Sequence, residues 1–331
     1  MYSVNNRGDV MVKVFGVGGG GGNAVDKMIS SVLYGVDFVA ANTDMQELNR
    51  SKADFKIQLG DKLARGLSAE GDPEVGRDAA YESIEQIKEQ VDGCEMVFVA
   101  AGMGGGTGTG AAPVIAKVAR EAGALTVGVV TKPFHFEGKK HLELAERGIN
   151  ELKQCVDSLI CISNNRLISL DPKKSTSIDW FNKADEAVCY AVKGITDLIL
   201  VQGLICICFD DVKSVMSESG LAAMGIGIAR GESRAKEAAM MAISNQLLED
   251  VSIDSAKGVL MNITCGMDLT IDEVQKAATT IYEAAHEDAN ILFGTFFDKE
   301  ETDEIRVTVI ATGVELKHVA RNAPNQQPKT V

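Results

Sequence analysis

Gly102-Met103-Gly104-Gly105-Gly106-Thr107-Gly108-Thr109-Gly110 is the stretch on which the reading of this chain turns. Before it, Met96 to Ala101 is a short, continuously apolar run, the pattern of a strand buried on both faces. After it, Ala111 to Gly123 reads as a helix, with Pro113 near the first turn, where proline is tolerated. A glycine loop between strand and helix makes an anion site. Backbone N–H groups converge there without side chains in the way, the helix adds its unsatisfied N-terminal donors, and the two threonines add hydroxyls. The expected ligand is a phosphate chain. No lysine follows the glycines, the next residues being Ala111-Ala112-Pro113, which excludes the G-x-x-x-x-G-K-[ST] loop.

A second unit of the same kind opens the chain. Met11 to Val17 alternates as a strand, Gly18 to Gly22 and Asn23 form a glycine loop, and Ala24 to Leu33 follows as a helix. Taken alone, Gly16-x-Gly18-x-x-Gly21 fits the dinucleotide fingerprint, and Asp44, after a strand at Asp37 to Ala41, stands about where a ribose-binding acid would. A Rossmann NAD(P)-dependent oxidoreductase is therefore the rival reading. Two glycine loops on parallel neighbours suit one triphosphate better than a hydride-transfer site with no candidate general base.

The 331 residues suffice for two domains, and 45% apolar with 24% charged residues is an ordinary globular composition. A net charge of −14 argues against direct binding to nucleic acid or anionic membranes. No apolar run is long enough to span a bilayer and Met1 to Asp9 lacks a signal-peptide core, so a cytoplasmic protein is expected. Seven cysteines without a C-x-x-C spacing read as small hydrophobes in a reducing compartment. Cys206-x-Cys208 also admits a metal or redox pair, its two thiols falling on one side of an extended segment.

The loop Gly104 to Gly110 resembles the signature loop of the tubulin/FtsZ family of GTP-binding, filament-forming proteins. The resemblance runs from Val12 to Val314, through both glycine loops, Lys132-Pro133-Phe134, Glu137 and the terminal strand Arg306 to Gly313. It implies an α/β fold with a Rossmann-like parallel-sheet GTP-binding domain (1–176), a long central helix (177–202) and a smaller α/β domain (203–314). It also implies GTP and GDP as ligands, with Mg²⁺ carried on the phosphates and no metal fixed by protein ligands. Gly19, Gly20, Gly21, Gly22, Asn23, Gly104, Gly105, Gly106, Thr107, Gly108 and Thr109 would hold the phosphates. Asp44, with Asn42-Thr43, and the loop Ala69-Glu70-Gly71-Asp72-Pro73 match segments near the metal and the terminal phosphate. Glu137, in the first turn of a helix running to Cys155, matches a ribose contact, and Asn164 a base contact. On the central helix Phe181 would stack on the purine. Asp185 would accept from the N1–H and exocyclic amine that guanine has and adenine lacks. Core packing is the competing reading of Phe181, which belongs to a stripe of Ile178, Phe181, Ala184, Val188, Ala191, Ile195 and Leu198.

Two departures from the pattern stand out. His141 occupies a position where the family usually has arginine, replacing a permanent cation by an imidazole. Gly203 to Val212 occupies the place of the catalytic loop, which each subunit inserts into its neighbour's nucleotide site. The usual Asn-x-Asp-Phe-x-Asp there becomes Cys206, Cys208 and Asp211, with Asp210 an extra acid. Thiols orient water poorly, so hydrolysis is expected to be attenuated. A non-hydrolysing nucleotide-binding structural or regulatory paralogue is the alternative. The implied partner is the chain itself, head to tail, with a co-polymerising FtsZ as a further candidate. Residues 315–331 turn polar and aperiodic, so a disordered tail is expected, with neither the linker nor the terminal peptide through which FtsZ proteins reach their usual tail-binding partners.

Overall fold

The computed structural model describes residues 10–31, 33–170, 176–201, 203–217, 219–245, 253–297 and 303–314. Its strands are β1 (Val12–Val17), β2 (Val36–Asn42), β3 (Phe55–Gln58), β4 (Met96–Gly102), β5 (Leu125–Lys132), β6 (Ser158–Ser163), β7 (Gly220–Arg230), β8 (Gly258–Cys265), β9 (Asn290–Phe297) and β10 (Glu304–Thr312). They form one sheet in the order β3-β2-β1-β4-β5-β6-β7-β10-β8-β9. The first six strands are parallel, in the doubly wound order that reverses direction between β1 and β4. Ligands of such sheets bind outside the carboxyl ends of the strands at that reversal, and both glycine stretches leave the sheet there.

Alternation on the buried strands separates two cores. Val12 and Val14 of β1 and Met96, Phe98 and Ala100 of β4 face one side of the sheet. Phe15, Val17, Val97, Val99 and Ala101 face the other. The first face is covered by α1 (Gly18–Ser30), α8 (Ser177–Leu200) and α9 (Phe209–Met216), the second by α3 (Pro73–Glu82), α4 (Ile84–Val91), α5 (Thr107–Glu121) and α6 (Lys139–Cys155). Two short helices, α2 (Met45–Arg50) and α7 (Asn164–Leu170), follow β2 and β6.

The sheet continues into the second half of the chain. β7 pairs parallel with β6 through Ser158 to Ile160, and β10 runs antiparallel between β7 and β8. A third core of mainly alanine, valine and isoleucine lies under α10 (Arg234–Ile243) and α11 (Ile271–Ala284). Helix α8 starts from a capping box of Thr176 and Asp179. It buries Ala184, Ala187, Val188, Ala191, Val192, Ile195 and Leu198 against strands of both halves.

Several boundaries differ from the sequence expectation. α1 and α5 begin at Gly18 and Thr107, inside the glycine stretches, because the turns pack backbone against backbone and helix propensity does not decide their start. Pro113 consequently lies in the second turn of α5, where it removes the helical partner of the Thr109 carbonyl. The single helix expected over Glu74 to Val91 breaks at Ser83, whose hydroxyl is committed to the Gln58 carbonyl and the Gly60 N–H. Glu137 precedes α6 in a 3₁₀ turn, since Gly138 with φ 100° interrupts the helix. Asp210 and Asp211 form the first turn of α9 and are not loop residues. Met1 to Asp9, the expected tail 315–331 and the end of the helix expected over Glu232 to Leu248 lie outside the described residues.

Candidate functional site

The two glycine turns meet each other. A β-carbon on Gly18 would lie 2.9 Å from the Gly108 nitrogen, and one on Gly20 would lie 3.2 Å from the Gly102 α-carbon. Gly16 and Gly21 are closed by each other's backbone, the close strand-to-helix packing that the fingerprint glycines allow. At Gly106 a β-carbon would strike Ala69 and Asp72, and at Gly104, which has φ +109°, it would meet the His141 carbonyl at 2.9 Å. At Gly22 and Gly105 it would meet no atom, so these two faces border the crevice. Thr109 Oγ1 accepts from the Gly104 N–H at 2.8 Å and holds the second turn closed.

Helix N-termini supply the charge. α2, α3, α8 and α11 are capped by Asp44, Asp72, Thr176 and Thr270, and α4, α9 and α10 carry acids in their first turns. Among helices whose N-caps are described, only α1, α5 and α6 have neither a side-chain cap nor an acid there. All three reach the same place, since Gly18 lies on Gly108 and His141 of α6 lies on Gly104. Three uncapped N-termini at one point present free N–H groups and the positive ends of three dipoles, a setting for a polyanion.

One end of the crevice is aromatic. Phe134 stacks on Phe136 at 4.9 Å and meets Phe181 edge-on at 5.3 Å. Ile178 and Phe181, the first two members of the apolar stripe on α8, are 70% and 46% exposed, so Phe181 is not a core residue and its ring is open for stacking. Asn164 is buried with its Oδ1 unpartnered, an acceptor awaiting a donor. Burial pushes the Asp185 carboxyl up to about 7, against the pull of Lys27. Lys27 on α1 pairs with Glu186 at 2.8 Å, which docks this part of α8 onto the first glycine helix. Glu137 accepts the Phe134 N–H at 2.8 Å and stands 3.9 Å from His141.

Some positions take roles that their sequence did not announce. Asp44 is committed as the cap of α2, accepting from Gln46 and Glu47. Thr43, fully buried, bonds the Thr107 hydroxyl at 2.7 Å and ties the end of β2 to the start of α5. Glu47 closes on the Asn42 amide at 2.8 Å, beside Gly19. Asn165 accepts from the His135 N–H and donates to the Pro133 carbonyl, holding the turn that carries Phe134. Only the triplet Asn42-Thr43-Asp44 carried a signal; Glu47 and Asn165 gave none. Among the described residues no cluster of three or more His, Cys, Asp or Glu is placed to hold a metal.

The segment 203–211 is not part of this crevice. It runs along β9, at the end of the sheet order, where Ile205 donates to Thr295 Oγ1 and accepts from the Thr295 N–H, both at 3.1 Å. Cys206, Cys208, Asp210 and Asp211 are exposed, and the Cys208 thiol donates to Asp211 Oδ2 at 2.7 Å. From Phe181 to Leu200 α8 rises about 28 Å at ~1.5 Å per residue, so Phe181 and this segment stand at opposite ends of one rigid element.

Residues 11–171 match the tubulin/FtsZ family GTPase domain and residues 220–315 the FtsZ family C-terminal domain. Among solved structures, a tryptophan-to-tyrosine mutant of FtsZ from M. jannaschii is 43% identical with a TM-score of 0.89, the match covering 92% of each chain. An empty FtsZ dimer from M. jannaschii is 40% identical with a TM-score of 0.90, covering 98% of this chain and 96% of that one. CetZ2 from Haloferax volcanii, described as a GTPγS-bound protofilament, shares the fold at 21% identity and a TM-score of 0.77, covering 92% of this chain and 93% of that one.

Proposed function

The chain belongs to the tubulin/FtsZ family of GTPases, and from that premise we propose that it binds GTP across the crevice, assembles head to tail and hydrolyses slowly. The uncapped starts of α1, α5 and α6 take the phosphates, with Gly19 to Asn23 and Gly104 to Thr109 as the backbone donors. Mg²⁺ rides on the phosphates and neutralises part of their charge. Phe181 stacks on the base, while Asp185 and the unpartnered Asn164 carbonyl accept from guanine's N1–H and amine. Glu137 and His141 flank the ribose. This reading rejects the dehydrogenase, whose fingerprint glycines are present here for packing.

One observation carries the assembly: α8 separates the nucleotide crevice from Asp211 by its own length. An acid at that distance acts only on a nucleotide bound by another copy. A contact joining one end of a subunit to the opposite end of the next is heterologous and propagates into an open filament. The M. jannaschii FtsZ dimer supports self-association in the family. Cys206 and Cys208 stand where orienting polar groups are expected, and Asp211 is engaged by the Cys208 thiol. Attack of water on the γ-phosphate depends on positioning and electrostatics, and these groups give little of either. The second reading, a filament that keeps its nucleotide without hydrolysing it, rests on the same substitutions. Polymer mass by sedimentation and phosphate release, measured together with GTP, GDP and ATP, decide the matter. Expected are GTP-specific polymers that persist with slow release. Only monomer, or a two-fold dimer, at saturating GTP and Mg²⁺ overturns the assembly.

A further inference from the structure

All seven cysteines are thiols, and they divide into two chemical classes. Cys94, Cys189 and Cys265 are buried and Cys155 and Cys161 partly so. Burial pushes the thiols of Cys94, Cys155 and Cys189 up and that of Cys265 up to about 12, which keeps them protonated and inert. Cys206 and Cys208 alone are exposed.

Their placement is set by the edge of the sheet. Leu204, Cys206 and Cys208 are exposed while Ile205, Ile207 and Phe209 are partly buried, the period-two alternation of an extended segment. Ile205 is tied to Thr295, and Ile207 and Phe209 pack on the core behind α8. Both thiols therefore project from the same outer face. Two residues of an extended chain span about 6.5 Å between α-carbons, at the upper end of the ~4.4–6.8 Å range that a disulfide bridges. Each thiol makes one weak local bond, Cys206 to the Gly203 carbonyl at 3.4 Å and Cys208 to Asp211. The two β-carbons of such a pair lie about as far apart as the α-carbons, beyond the ~3.5–4.5 Å that a disulfide needs, so the backbone has to bend at Ile207, whose side chain is only partly buried, for the sulfurs to meet.

We propose that Cys206 and Cys208 form a dithiol site that small cationic disulfides oxidise to a reversible intra-segment disulfide. One thiolate attacks a sulfur of the reagent, forming a mixed disulfide and expelling one thiolate product. The second cysteine then attacks the protein sulfur of that mixed bond and expels the other product. The protein loses two electrons, the reagent's S–S bond gains them, and the two cysteine protons end on the two small thiols released. A cationic reagent is favoured because Asp210 and Asp211 adjoin the site. The ring is strained, which makes the bond easy to reduce. Closure removes the Cys208 hydrogen bond from Asp211 and contracts the segment. On the proposed head-to-tail reading, the oxidised subunit assembles poorly.

The probe is cystamine with the full-length protein, first without nucleotide, read by intact mass and peptide mapping. The expected product is two hydrogens lighter, carries no adduct and is cross-linked between Cys206 and Cys208. Cys206→Ser and Cys208→Ser each keep one stable adduct, and the double variant stays unmodified. Two lasting adducts on the unmodified protein, or labelling spread over the other five cysteines, overturns the site. Sedimentation with GTP then compares reduced, oxidised and re-reduced protein, with loss and recovery of polymer expected for the native pair and no change for the double serine variant. Equal polymer from oxidised and reduced protein overturns the effect on assembly. A protein that never pellets disproves the filament reading while the mass result still tests the site.

Discussion

The two ends of α8 differ in how completely they are equipped. At its N-terminal end stand three uncapped helix starts, a solvent-facing ring at Phe181, a half-buried carboxyl at Asp185 and a buried unpartnered acceptor at Asn164, the groups that the proposed guanine-nucleotide site uses. At its C-terminal end the segment is tied to β9 at Thr295 and presents Cys206 and Cys208, the latter bonded to Asp211. Binding needs donors fixed before the ligand arrives. Hydrolysis needs a water aimed at one atom. On the proposed reading this chain keeps the first and loses much of the second, so that the two capacities are carried separately by the two ends of one helix.

The largest test places a carboxylate at the thiol-bearing end. Cys208→Asp is expected to raise GTP turnover on the order of 10²-fold, the usual effect of one well-placed polar group on such a transition state. Asp211→Ala is expected to remove the turnover that remains, with nucleotide affinity unchanged in both variants. Phosphate release at matched polymer mass measures it. An unmodified protein already as fast as the Cys208→Asp variant means that Asp211 alone sustains the reaction and that the two ends are equally competent.

A smaller effect probes the complete end. Removing the carboxyl in Asp185→Ala is expected to weaken GTP by roughly 1–3 kcal/mol, about tenfold to a hundredfold, because guanine's donors are left unpaired. ATP shares the stack on Phe181 and offers no such donors, so its weak binding should hardly change. Titration of both nucleotides by calorimetry separates the cases, and equal losses for the two withdraw the acceptor role from Asp185.

Much of this contrast could be read from the chain. The continuous apolar run Met96 to Ala101 and the β-rich stretch Leu125 to Val130 located two of the parallel strands, and the stretch 102–110 marked the proposed anion site. The unread parts depend on contacts between distant segments. Glycine's poor helix propensity hid the true starts of α1 and α5, which are decided by Gly18 lying on Gly108 and Gly20 on Gly102. Nothing local marks Ser83 as a break, since its hydroxyl serves the strand end at Gln58. Phe181 matched the spacing of the core stripe, and only the start of α8 beyond the sheet shows that stripe to end before it. The thiols at 206 and 208 were visible, but their common outer face required Ile205 to be seen tied to Thr295.

The smallest predicted effect concerns pH and gives the complete end two opposite slopes. Asp185 has its carboxyl raised from an ordinary 3.8 to about 7 by burial, with Lys27 opposing and Glu186 reinforcing the shift. Because the folded value lies above the unfolded one, its contribution to stability is fully present below the ordinary value and is lost as pH rises through about 7. The nucleotide-free protein should therefore melt at lower temperature at pH 8 than at pH 6. Guanine demands the ionised acceptor, so only the ionised fraction binds it well. That fraction climbs from about a tenth at pH 6 to about nine tenths at pH 8, and GTP affinity should climb roughly tenfold with it. Asp185→Asn should abolish this rise along with the pH dependence of melting. An Asp185→Asn protein whose GTP affinity still climbs with the original slope would place the titrating group elsewhere.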